Sequence, residues 1–165
     1  MSLNKALANE SRHEGSLTKK LLDRIPMDKA DWKPHEKSMS LGQLANHTAE
    51  LFRWIPVILS TDRIDLVTQR FARGTAATQD ELLAQYETNW QQAIGALDNT
   101  TDDQLDGMWT LSKGDYVLFT IPRKIAIRSL ALSHQYHHRG QLTVYLRLLD
   151  IPIPALYGPS ADEIE

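Results

Sequence analysis

The chain contains no cysteine. That excludes disulfides and thiolate metal ligands, and it fits a reducing, cytoplasmic setting. No apolar run approaches the roughly 18 residues that a membrane span needs, so no membrane helix is expected. The opening Met1-Ser-Leu-Asn-Lys-Ala is not followed by an apolar stretch and does not read as a secretory signal. Charge of one sign is also lacking. There are 18 Lys and Arg against 21 Asp and Glu, a net charge of -3, and the basic residues are scattered. That gives no footprint for nucleic acid. Internal repeats and low-complexity segments are absent. What remains is 165 residues, long enough for a single domain, 1–165, with a sizeable core.

Apolar periodicity predicts four main helices. The first spans about Leu3 to Ile25, with Leu17, Leu21, Leu22 and Ile25 on one side, and Pro26 ends it. A loop from Met27 to Met39 follows. The second helix opens at Ser40, where Ser40 and Gln43 have the spacing of a capping box. It runs to about Leu59, with Pro56 as a candidate bend. Thr61 to Ala77 reads as polar and irregular. Thr78 and Glu81 form a second capping box, and the third helix runs from there to about Leu97. Thr101 to Leu105 reads as one helical turn. Met108–Leu111 and Tyr116–Thr120 read as two short strands around the turn Ser112-Lys-Gly-Asp115. Pro122 suits the first turn of a fourth helix that reaches Leu149 or Asp150. The tail from Ala155 reads as coil. The expected fold is all-α, a four-helix bundle with a small β excursion before the last helix.

The chemistry concentrates in His134-Gln-Tyr-His-His-Arg-Gly-Gln141. His134 and His138 are four residues apart, so on a helix they lie within about 40° of each other on one face. Ile127, Leu130, Ala131, Tyr145, Leu148 and Leu149 fall within about 60° of His134, so that face is otherwise apolar. His47 sits in a similar stripe on the second helix, with Leu44, Leu51, Trp54 and Ile58 within about 60°. One histidine on an apolar face is ordinarily a hydrogen-bonded core residue. Three on two core stripes pose three burial problems that one shared cation would solve. His47, His134 and His138 are therefore candidate metal ligands, with an open coordination position in the manner of a three-His site. A network of hydrogen bonds among the histidines and Gln141 is the alternative. His137, about 100° from His138, belongs at the stripe's edge. Trp54 reads as a core aromatic with a pocket wall as the alternative, and Glu50 as solvated surface with a supporting or base role as the alternative. Gln141, near the centre of its stripe, reads as a hydrogen-bond partner of a ligand or as part of the cavity lining, His35 as exposed, and Tyr86 with Trp90 as packing.

The segments Asp31-Trp-Lys-Pro-His-Glu-Lys-Ser-Met-Ser-Leu-Gly-Gln-Leu-Ala-Asn-His47, the region of Trp109, His134-x3-His138-Arg-Gly-Gln-Leu-Thr-Val-Tyr-Leu-Arg147 and Ile153-Pro-Ala-Leu-Tyr-Gly-Pro-Ser-Ala-Asp162 resemble the DinB-like (YfiT-type) superfamily of metal-dependent four-helix bundles. The likeness runs over nearly the whole chain. It implies an up-down-down-up bundle, often dimeric, with a divalent metal on one histidine of the second helix and a His-x3-His of the fourth. Those positions match His47, His134 and His138. It also implies thiol-dependent S-transferase chemistry, as in some relatives, with a low-molecular-weight thiol as cosubstrate.

Two functional expectations follow. One is a metal-dependent enzyme, using Zn or Ni, in which a thiol or a water attacks a small electrophilic substrate; with no cysteine in the chain, any thiol comes from outside. The other is a non-catalytic, metal-stapled stress-response dimer. Expected partners are a small molecule and a second copy of the chain, with no nucleic acid and no membrane. Val117 and Phe119 are the expected dimer contacts.

Overall fold

The computed structural model describes residues 1–69 and 74–163. It is mostly helical with a small sheet. The first helix, α1 (Leu3–Leu22), has its leading amides covered from outside: the Asp102 carboxylate accepts from the N–H groups of Leu3 and Asn4, both at 3.0 Å. Pro26 follows the helix end, and a single 3-10 turn, Met27–Lys29, leads into the loop.

The expected second helix is three pieces. Helix α2 (Leu41–Glu50) opens on the Ser40/Gln43 capping box. A 3-10 segment, Leu51–Arg53, follows, and α3 (Trp54–Ser60) continues the run. The irregularity sits one turn before Pro56 rather than at it. Proline has no N–H for the carbonyl four residues back, and its ring crowds that same turn.

The expectation of an irregular stretch between Thr61 and Ala77 is corrected by strand β1 (Arg63–Asp65); positions 70–73 of that stretch lie outside the described residues. Helix α4 (Gln79–Asp98) starts at the Thr78/Glu81 capping box. Helix α5 (Asp102–Asp106) starts at another, Thr101 with Gln104. Strands β2 (Met108–Lys113) and β3 (Tyr116–Pro122) form the expected hairpin. Gly114 turns it with a φ of 60°, which only glycine adopts without strain. The sheet order is β1-β2-β3, with β1 parallel and β3 antiparallel to β2.

The last helical run is also divided. Helix α6 (Arg123–Ile127) leads into a π-helical segment, Arg128–Leu132, and then α7 (Ser133–Leu148). The core lies where α1, α2, α4 and α7 meet: α1 packs on α4 and α7, and α2 packs on the same two. Gly15 lets α4 approach α1, because the indole of Trp90 occupies the place of a Cβ there. Trp90 Nε1 donates to the Ser11 carbonyl at 2.8 Å and stacks on Tyr86.

The buried face of α7 is not centred on His134. It carries Gln135, His138, Arg139, Leu142, Tyr145 and Leu146. Leu148, expected on the same stripe, is 58% exposed. Arg139 is among the largest fully buried side chains. It pairs with Glu14 at 2.5 Å, donates to Thr18 Oγ1 at 3.2 Å, and meets the hydroxyl of Tyr157 from the C-terminal tail. A charge this deep is stable only with such partners. The tail is tied down again where Asp162 accepts from Arg147 and from the Ile153 amide.

Candidate metal centre

Helix α2 supplies His47 and helix α7 supplies His134 and His138. The capping box fixes the start of α2 and therefore the direction in which His47 projects. The π-helical segment just before α7 adds residues to the turn, which sets the rotation of His134 and His138 against the core.

The three ring nitrogens converge. His47 Nε2 is 3.4 Å from His134 Nε2, and His138 Nε2 is 2.8 Å from His134 Nε2. All three candidate donor atoms lie within 4.8 Å of one another. Four-coordinate zinc with Zn–N bonds of about 2.0–2.1 Å places its nitrogens roughly 3.3–3.4 Å apart. The first distance matches that spacing, and the second needs to open by about half an ångström.

The outer ring nitrogens bear on the same question. His138 Nδ1 lies 2.7 Å from Gln141 Oε1. An amide oxygen only accepts, so Nδ1 carries the proton and Nε2 keeps its lone pair. His138 thus presents the Nε2 lone pair to His134 Nε2 across 2.8 Å, a separation that a ring-to-ring hydrogen bond spans and that a shared cation would widen. The donor set fits a divalent ion.

Burial pushes the His134 imidazole below its ordinary value, against a smaller raising effect from the Leu130 backbone. Burial also lowers His138, opposed by Gln141 and assisted by the neighbouring His134 and His137. Both shifts favour the neutral ring that metal binding requires. His137 is exposed, with its ring 4.9 Å from that of His138, and stands outside the converging set.

A cavity of about 770 Å³ adjoins the triad and is lined by His47 but by neither of the other two histidines. One face of the α2–α3 run forms its wall through Gln43, His47, Glu50 and Trp54. Trp54 is half-buried, so the reading as a core aromatic holds for one side only. On the core side it meets the fully buried Trp109, ring centroids 6.4 Å apart, held in turn by a bond from Trp109 Nε1 to Thr61 Oγ1. Glu50 is buried rather than solvated. It accepts from the Gly74 amide and faces Arg53 at 3.7 Å. His35 is exposed, as expected.

Sequence reasoning missed Arg139 and Gln135, both inside the core. The signal was present: Gln135, Arg139, Leu142 and Leu146 recur at helical spacing, a cation and an amide on an otherwise apolar face.

The profile of the DinB family matches residues 1–165. Two Bacillus subtilis proteins described as uncharacterized are similar. YjoA is 27% identical over 135 residues, 80% of this chain and 81% of that one, and YrdA is 26% identical over 151 residues, 91% and 85%. Two solved structures share the fold. A DinB-like protein of B. subtilis, YjoA, superposes with a TM-score of 0.72 at 21% identity, covering 93% of this chain and 99% of that one. A DinB-like protein of Bacillus cereus gives 0.65 at 24% identity, covering 88% and 92%.

Proposed function

This chain belongs to the DinB family, and on that premise we propose that it is a single-domain, divalent-metal-binding protein whose ligands are His47, His134 and His138. The observation that carries the reading is the convergence of three Nε2 atoms from two helices, with His138 holding its other nitrogen in a hydrogen bond to Gln141. The pairwise packing of α1, α4, α2 and α7 closes a ring of contacts, which supports the up-down-down-up four-helix bundle as the frame that holds them.

Zinc or nickel suits three neutral imidazoles and leaves coordination positions open. Such an ion supplies Lewis acidity, which makes a water or a thiol a nucleophile at neutral pH. The chain's own contribution is to orient and exclude. Gln141 holds the His138 tautomer, and Trp54 with Leu51 gives the cavity an apolar wall beside His47. The cavity favours a catalytic role on a small electrophile, by thiol transfer or hydrolysis, over a purely structural staple. The chain has no cysteine of its own, so a transferred thiol would be a free cytoplasmic cosubstrate.

Titration calorimetry of chelator-stripped protein with Zn²⁺ and Ni²⁺ tests the reading. The expected result is about one ion per chain, lost in His47→Ala and His138→Ala. Absence of binding, or binding indifferent to both substitutions, refutes it.

A further inference from the structure

We propose that Arg139 is a positioning residue for the metal centre: its buried guanidinium, bonded to α1, fixes the rotation of α7 at the turn that carries His138. The inference rests on the reading of His47, His134 and His138 as ligands. Arg139 follows His138 directly, and its side chain is 2% exposed. It donates to the Glu14 carboxylate at 2.5 Å, to the Glu14 carbonyl at 3.0 Å and to Thr18 Oγ1 at 3.2 Å. The rings of Tyr136 and Tyr157 lie against the guanidinium, their centroids 5.4 and 5.0 Å from its carbon. The Tyr157 hydroxyl meets both the guanidinium and the Glu14 carboxylate.

A pair this deep is a poor source of stability. Desolvating two charges offsets much of their attraction, and packed apolar residues of similar volume often stabilise as well or better. What the pair supplies is direction. Leu142 and Leu146, on the same buried face of α7, are held by an attraction that prefers no angle. The planar fork of Arg139 bonds well only over a narrow range of orientations. Tyr136 and Tyr145 add one bond each, to Glu10 and to the Met39 carbonyl. The π-helical segment sets the phase of α7 against α6; Arg139 sets it against α1. Small rotations matter at the site. A ring nitrogen about 6 Å from the helix axis moves by about 2 Å when the helix turns by about 20°, and metal–ligand distances tolerate only about 0.2 Å. Arg139 acts through the backbone of α7 rather than by contact with an ion.

The test separates position from stability in the full-length protein. In the double variant Glu14→Met with Arg139→Met both charges leave together, so neither is stranded. Its urea midpoint is expected at or above that of the wild type, while zinc affinity, read by competition titration, falls at least about tenfold. Nuclear Overhauser contacts between the rings of His47 and His138, whose centroids are 4.6 Å apart, read the rotation in metal-free protein; they are expected in the wild type and weakened in the double variant. Arg139→Lys keeps the charge without the fork and is expected to lose part of the affinity and of the ring contacts. The proposal requires at least one of the two variants to lose zinc affinity and ring contacts at an undiminished urea midpoint. Affinity or ring contacts unchanged in both variants, or a midpoint that falls with the affinity in both, overturns it. A wild type that binds no zinc removes the metal reading instead, and the ring contacts with the urea midpoint then decide whether Arg139 sets the rotation of α7.

Discussion

At the residue scale, the triad and the buried arginine make opposite demands on protons and charge. His134 and His138 are held below the ordinary imidazole value of 6.5, chiefly by burial. A group whose folded value is depressed contributes stability that is complete above its unfolded value and is lost as pH falls through the folded one. Metal binding follows the same direction, because only neutral rings coordinate. Zinc affinity measured across a pH series should therefore hold through pH 7 and fall below about pH 6. His137→Ala should leave the stoichiometry at one ion while His138→Ala removes it; the reverse outcome would mean that α7 is rotated from the geometry described. Arg139 is a different case. Replacing it with methionine leaves the Glu14 carboxylate buried without its cation, a loss of about 3–5 kcal/mol by the usual cost of breaking such a pair. A urea melt of Arg139→Met measures it, and a loss under about 1 kcal/mol would show that solvent reaches Glu14.

At the element scale, the capping boxes were legible because a cap is a local contract between a hydroxyl and an amide three residues on. Ser40/Gln43 and Thr78/Glu81 form as their spacing predicts. The π-helical segment Arg128–Leu132 was not legible, since an α-helix of that composition satisfies the same local preferences. Its consequence is large: the buried face of α7 centres on Gln135, His138 and Leu142, leaving His134 half-buried at its edge. Deleting Ser129 would regularise the segment and swing α6 by about 100° relative to α7. Ala126 and Ile127 of α6 and six residues of α7 are buried, so the two helices cannot both keep their buried faces after the deletion. The expected outcome is loss of stoichiometric zinc binding in calorimetry, with helical circular dichroism retained. A deletion variant that still binds one ion per chain would show that the segment does not set the rotation of the histidines.

At the scale of the whole molecule, the sheet bears on assembly. Strand β3 lies at one edge, and Tyr116, Val117 and Leu118 are exposed on it at 71%, 48% and 43%. Phe119 is not available in the same way, because it packs against Trp109 and the core. An exposed apolar edge strand invites pairing with another chain. Sedimentation equilibrium at micromolar concentration is expected to give twice the 18.7 kDa chain mass, and Val117→Lys is expected to shift the equilibrium toward monomer. A species at the chain mass alone would end the dimer reading. Among the described residues, no helix is long and apolar enough to cross a membrane.

The sequence by itself determined which segments are helical, where three helices begin, and which three histidines share an apolar setting. Each of these depends on spacing within one turn or one cap, and such contacts are made between residues close in the chain. Tertiary structure alone decided the rest. Strand β1 has three residues and exists only because β2, more than forty positions later, supplies its hydrogen-bond partners. Glu50 is buried because Gly74 and Arg53 meet its carboxylate. Arg139 enters the core because Glu14 from the first helix and Tyr157 from the tail are there to receive its charge. Periodicity names the face on which a side chain sits. Whether that face meets a carboxylate, a cavity or another imidazole depends on elements distant in sequence, and the burial of a polar group is decided by those partners.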